Sequence, residues 1–65
     1  MNVIDVLQRI LGDKQVMIIG EAIDLHDTPQ QILIQHSKLI SHRKVRWIEI
    51  LQDELKIHLE PLDDF

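Results

Sequence analysis

The chain has no cysteine, no tyrosine, one tryptophan, one phenylalanine and two glycines in 65 residues. Without cysteine it can form neither a disulfide nor a cysteine-ligated zinc site. Gly12 and Gly20 stand alone, so no glycine-rich loop can hold a phosphate group. These absences argue against a disulfide scaffold, a zinc domain of the cysteine type and a P-loop nucleotide-binding protein.

Long hydrophobic runs are also missing. The longest uninterrupted apolar stretch is Val16 to Ile19, far below the roughly 18 residues of a membrane-spanning helix. No basic-then-apolar leader opens the chain. We therefore expect a soluble cytoplasmic protein that does not enter a membrane.

Aliphatic side chains are abundant, with 11 Ile, 9 Leu, 4 Val and 2 Met. A domain near this size buries only about 60% of the surface that its unfolded chain exposes, so one core is marginal. Small domains usually add disulfides, a metal or oligomerisation. Because disulfides are impossible here, the composition favours self-association.

The N-terminal residues predict an amphipathic helix over about 2–12. Asn2 suits the N-cap, Asp5 places negative charge in the first turn, and Gly12 suits a left-handed residue after the last turn. One face of this helix is apolar at the expected spacing, through Val3, Ile4, Val6, Leu7, Ile10 and Leu11.

The stretch 15–25 predicts a strand with apolar residues on both faces. One face carries Val16, Ile18 and Ala22, and the other carries Met17, Ile19, Ile23 and Leu25. Gly20 indicates a bulge, a bend or a close backbone approach. A strand that is apolar on both faces is normally covered on both.

The middle of the chain fits two structures. Thr28 as N-cap, Pro29 at the first helical position and Gln31 would form a capping box that starts a helix. Against this, Ile32-Leu33-Ile34 is a compact run typical of a strand. Of these two alternatives we predict the strand, at about 31–36, by a small margin over the helix.

The C-terminal third predicts an antiparallel hairpin of strands 44–51 and 55–60, joined by Gln52-Asp53-Glu54. An acidic tail, 61–65, follows. No repeat or linker divides the chain, so we expect one α+β domain, 1–65, in which an N-terminal amphipathic helix precedes a small three- to four-stranded antiparallel sheet. A curled SH3-like or Sm-like barrel would satisfy this order, as an analogy of architecture only.

Charge is segregated along the chain. Residues 1–27 hold five acids and two bases, residues 28–48 four bases and no acid, and residues 49–65 six acids and one base. The middle block predicts an anion or nucleic-acid contact with a tryptophan for stacking, although a solvated edge that pairs with acidic segments is the simpler interpretation. Its candidate binding residues are Lys38, His42, Arg43, Lys44, Arg46 and Trp47.

The four histidines do not form a recognised ligand pattern. His26, His36, His42 and His58 match neither the His-x₃-His spacing of a helix nor the His-x-His spacing of a strand. We therefore predict no metal and no cofactor. Protonating all four would cancel the formal charge of −4, so we expect charge-driven assembly to change between about pH 7 and pH 5.

Catalytic constellations are missing from the sequence. Ser37 follows His36 directly, and neighbours in a strand point to opposite faces, so they cannot act as nucleophile and base. Glu49, between two isoleucines, is the acid best placed for partial burial, and a salt bridge is its simpler interpretation. We expect no enzymatic activity.

Two functions remain. The first is a small regulatory interaction protein that self-associates and binds a larger protein. The alternative is a nucleic-acid-binding oligomer that uses the basic segment 38–47. Strands 15–25 and 44–51 have apolar residues on both faces, and one helical layer covers a single face. If Ile48 and Ile50 face the core, the expected interface residues are Met17, Ile19, Ile23, Val45, Trp47 and Leu51.

Overall fold

A computed structural model describes residues 1–10, 12 and 14–61. Four residues of the predicted acidic tail, 62–65, lie outside this part of the chain. An α+β fold with an N-terminal helix is confirmed. The elements are α1 (Val3–Arg9), β1 (Gln15–Gly20), β2 (Ile23–Asp27), α2 (Pro29–Ile40), β3 (Val45–Ile50) and β4 (Glu54–Leu59).

The four strands form one mixed sheet in the order β2-β1-β4-β3. β1 and β2 are antiparallel, as are β3 and β4, but the central β1–β4 pair is parallel. The prediction of a wholly antiparallel sheet is therefore wrong at its centre. The chain leaves β2 at one edge and enters β3 at the other through α2, a crossover of the kind that parallel pairing requires. β2 and β3 remain the two edges of the sheet, so a closed barrel is not confirmed.

The predicted single strand 15–25 is wrong, because a two-residue turn divides it into β1 and β2. Gly20 pairs with Ile23, and Glu21 and Ala22 form the turn. Ala22 adopts a φ of 62°, in the left-handed region that non-glycine residues rarely occupy. Of the bulge, the bend and the close approach that Gly20 indicates, the structure shows a close approach, since a Cβ there would lie 2.9 Å from the Leu59 side chain.

The strand predicted at 31–36 is also wrong, since α2 covers that segment. Its start follows the capping signals: Pro29 is in the first turn, and the Gln31 N–H donates to Thr28 Oγ1 at 3.4 Å. Ile32 is fully buried under the helix. The helix cap and the burial of one helical stripe therefore outweigh the strand propensity of Ile32-Leu33-Ile34. A kink interrupts the helix at His36, whose φ is −128°.

α1 is shorter than the predicted 2–12. Asn2 is its N-cap as predicted, with Oδ1 accepting from the Ile4 N–H at 2.8 Å. The helix ends at Arg9, because Ile10 has an extended backbone. Gly12 has a φ of 83°, as its position after the helix predicted. The hairpin at the C-terminal end matches its predicted strands to within one residue.

Both helices pack on the same face of the sheet. The side chains of this core come from α1, α2 and from alternate positions of β1, β2 and β4. We call this side the helix face and the opposite side the outer face. The buried core is formed by Val3, Val6, Leu7, Val16, Ile18, Ile23, Ile32, Ile40, Ile57 and Leu59.

Candidate interaction surfaces

Arg43 is the buried member of the basic segment, with an exposed fraction of 6%. Its Nη1 donates to the Glu21 carbonyl at 3.1 Å, and its Nη2 donates to the Glu60 carbonyl at 3.3 Å. The guanidinium thus connects the β1–β2 turn to the residue after β4. These donors satisfy backbone carbonyls near the core, which gives Arg43 a structural role.

The rest of the predicted binding segment is spread over several elements. Lys38 lies in the last turn of α2, and His42 lies in the turn that follows it. Lys44 pairs with Asn2 in an isolated bridge, whereas Arg46 and Trp47 lie in β3, beside a bulge. All of these except Arg43 are exposed. The structure therefore does not arrange the segment along one strand or one helix.

The outer face of the sheet gathers three of the predicted interface residues. Met17 and Ile19 alternate with the buried positions of β1, and Trp47 is opposite His58 of β4. Met17 and Ile19 are half-buried and Trp47 is 48% exposed. No helix in the described part of the chain packs over them, because both helices belong to the core on the helix face.

The structure places the other three predicted interface residues elsewhere. Ile23 is buried in the core, and Val45 packs against it. Leu51 follows β3, where its N–H donates to the Glu54 carbonyl at 2.9 Å. The predicted interface therefore separates into an outer-face group and residues of the core and the turn.

Histidines and carboxylates surround the apolar centre of the outer face. The His58 ring stacks on Trp47, with centroids 3.8 Å apart and planes 6° from parallel. His58 Nε2 lies 3.5 Å from Glu49 Oε1 without hydrogen-bond geometry, and His26 Nε2 lies 3.1 Å from Glu54 Oε2. Each contact becomes an ion pair when the histidine is protonated.

Sequence reasoning missed an apolar groove on the helix face. This groove has a volume of about 540 Å³ and lies between α1 and the β3–β4 hairpin. Ile50 is 76% exposed there, although it shares its face with buried Ile57. The length of the predicted helix could have indicated the groove, because one short helix cannot cover a sheet of four strands. The lining residues are Met1, Asp5, Val6, Arg9, Ile10, Ile48, Ile50 and Leu55.

Comparison with known proteins finds no match. No family model, curated protein or solved structure matches this chain. Within the described residues, no cluster of three or more histidine, aspartate or glutamate side chains could hold a metal ion. The same residues include no helix that is long and apolar enough to span a membrane. In the described part of the chain, the outer face and the groove are the apolar surfaces that the helices leave open.

Proposed function

We propose that this chain is a small, non-catalytic regulatory protein that self-associates and binds a larger protein partner. The observation that carries the proposal is the outer face, where Met17, Ile19 and Trp47 lie without a covering helix in the described part of the chain. An apolar centre with a polar rim is the usual composition of a protein–protein interface.

Trp47 is the residue that we expect to dominate partner binding. Tryptophan is enriched among residues that contribute most to interface affinity, because it buries a large rigid surface. Here the ring is already held against His58, so little side-chain freedom remains to be lost on binding. The half-buried Met17 and Ile19 supply adaptable apolar contacts beside it.

The nucleic-acid alternative has less support. Asp24, Glu49 and Glu54 share the outer face with a single lysine, Lys56, which is an unfavourable charge balance for phosphate. Arg43 is bonded to backbone carbonyls. If this alternative were correct, binding of a labelled RNA or DNA pool would weaken steeply as salt rises.

Self-association is tested first by sedimentation of the purified wild-type chain at increasing micromolar concentrations. We expect a concentration-dependent dimer or larger oligomer. A single monomeric species throughout would contradict this half of the proposal.

Partner binding is tested by affinity capture from the native host with the wild type, Trp47→Ser and Ile34→Ser. Ile34 lies on α2 and is 74% exposed, so it is a matched control for loss of an exposed apolar side chain. We expect one protein to be recovered by the wild type and the control but lost with Trp47→Ser. Equal recovery by all three would refute an outer-face interface.

The cytoplasmic location is part of this proposal, and cell fractionation tests it.

A further inference from the structure

We propose that a second copy of this chain occupies the free edge of β3, so that two β3 strands pair antiparallel about a two-fold axis at Glu49. The inference rests on the proposed self-association and names its surface. The two sheets would join edge to edge, and the two grooves would meet on the helix face.

The backbone of β3 determines which groups are available. The Leu51 N–H donates to the Glu54 carbonyl at one end, and the Glu60 N–H donates to the Lys44 carbonyl at the other. Antiparallel ladders alternate residues that bond to the neighbouring strand with residues that point away. Leu51 bonds to β4, so in the observed register Glu49 also faces β4. The residues between them in this alternation, Ile48 and Ile50, therefore point their N–H and C=O groups away from β4.

The free edge begins after Val45. The Val45 N–H donates to the Met1 carbonyl at 2.8 Å, and Asn2 forms a bridge with Lys44. In the described residues, no strand continues along β3 beyond this contact, and β3 is an edge of the sheet. An edge strand with unpaired backbone groups is a template for another strand.

The positions of Ile48 and Ile50 select the register of the paired strands. An axis at Glu49 places Ile48 opposite Ile50 of the second copy, and Ile50 opposite its Ile48, so every outward backbone group of this pair is bonded. An axis at Ile48 would instead place Ile50 opposite Arg46, which lies beside the bulge. An axis at Ile50 would place Ile48 opposite Gln52, outside the strand.

The groove is complementary to itself in this arrangement. Ile48 and Ile50 form part of its apolar floor, and cross-strand pairing places them against the same side chains of the second copy. The α1 side of the groove holds one acid, Asp5, and one base, Arg9. A two-fold axis makes the two helices antiparallel, which brings opposite charges toward each other, as a symmetric interface requires.

Glu49 opposes its own copy on the outer face, and this is the unfavourable element of the dimer. Like charges directly opposite in a sheet are destabilising. The Glu49 side chain is 40% exposed and has Lys56 opposite it on β4, and solvent and this positive charge reduce the repulsion. Replacing Glu49 with glutamine removes the negative charge, so we expect dimerisation by Glu49→Gln to be about two- to fivefold tighter.

Disulfide trapping tests the register directly, because the chain has no cysteine of its own. Residues opposite each other at a non-hydrogen-bonded position lie about 4.5 Å apart at Cα, within the range that a disulfide spans. We expect Glu49→Cys to form a covalent dimer under mild oxidation at least about tenfold faster than Asp24→Cys at the same concentration. Asp24 is exposed on the outer face of the other edge strand, β2, and so controls for random collision.

Four outcomes decide the proposal. Faster trapping of Glu49→Cys, together with tighter dimerisation of Glu49→Gln, supports the β3 interface. A wild-type dimer in which Glu49→Cys reacts no faster than Asp24→Cys overturns this interface and leaves self-association standing. Faster trapping at Asp24 assigns the interface to β2 and also overturns the proposal. A wild type that sediments only as a monomer removes both the interface and the proposed self-association.

Discussion

The two halves of the helix face differ in how completely they are covered. Over β1 and β2, Val16, Ile18 and Ile23 are buried in a core closed by both helices. Over β3, Ile48 is only half-buried and Ile50 is 76% exposed. The same kind of side chain is thus part of the core on one half of the sheet and of a groove on the other.

Helix length explains much of this contrast. α2 has 12 residues and packs against β2, whereas α1 has seven and is about 10 Å long at 1.5 Å per residue. The long helix covers its side of the sheet, and the short one leaves a groove beside β3. An incompletely covered half is where a second chain can bury apolar area without disturbing the core.

The largest expected effect comes from truncating matched isoleucines in the two halves. Ile18→Ala removes a fully buried side chain and should lower the free energy of unfolding by about 2–5 kcal/mol. Ile50→Ala, measured at a concentration where the chain is monomeric, should lower it by less than about 1 kcal/mol. Urea denaturation measures both. Equal losses would show that the two halves are packed alike.

Arg43 supports the covered half through its two carbonyl bonds. Arg43→Met should lower the free energy of unfolding by about 2–3 kcal/mol, because two part-buried hydrogen bonds from a charged donor to backbone carbonyls are lost. Arg43→Lys should recover only part of this loss, since an ammonium lacks the guanidinium fork. The exposed Arg46→Met is the control and should stay within about 0.5 kcal/mol of the wild type. A loss at Arg46 as large as that at Arg43 would contradict the structural role.

The start of α2 tests whether its cap holds the covering helix. Thr28→Ala removes the oxygen that accepts the Gln31 N–H and should lower the free energy of unfolding by about 1 kcal/mol. Thr28→Ser keeps that oxygen and should be nearly neutral. Thermal denaturation followed by circular dichroism compares the three chains. A Thr28→Ser variant as unstable as Thr28→Ala would show that the methyl group, rather than the cap, matters.

The smallest effect is expected at the β1–β2 turn. Ala22 has a φ of 62°, a conformation that glycine adopts without the steric penalty of a Cβ. Ala22→Gly should therefore raise the free energy of unfolding by about 0.5–1 kcal/mol, after allowance for the more flexible unfolded chain. Ala22→Ser keeps a Cβ and should give no gain. A destabilised glycine variant would contradict the strain at this turn.

Local signals predicted the parts of the fold that depend on neighbouring residues. Asn2 caps α1, Gly12 has a left-handed backbone, and the C-terminal hairpin forms at its expected position. The capping signals at Thr28 predict the observed helix, whereas the β-rich run that begins at Ile32 favours a strand. Caps report local backbone geometry, whereas strand propensity depends on neighbours that the sequence does not show.

The topology and the groove depended on long-range packing. Parallel pairing of β1 with β4 follows from the path of α2 across the sheet, which no single segment encodes. Alternation along 15–25 separates Met17 and Ile19 from the core, as observed, but it places Ile23 with them, because an uninterrupted strand has no turn at Ala22. A one-residue change in phase moves a strand side chain to the other face.

The central claim is that apolar side chains on the open half form the contact between copies. Sedimentation equilibrium of the wild type, Ile50→Lys and Ile34→Lys tests it, since these two isoleucines are 76% and 74% exposed. We expect the wild type and Ile34→Lys to dimerise equally well, and Ile50→Lys to associate more weakly, with a dissociation constant raised about 30-fold. Equal dissociation constants for all three chains would contradict it.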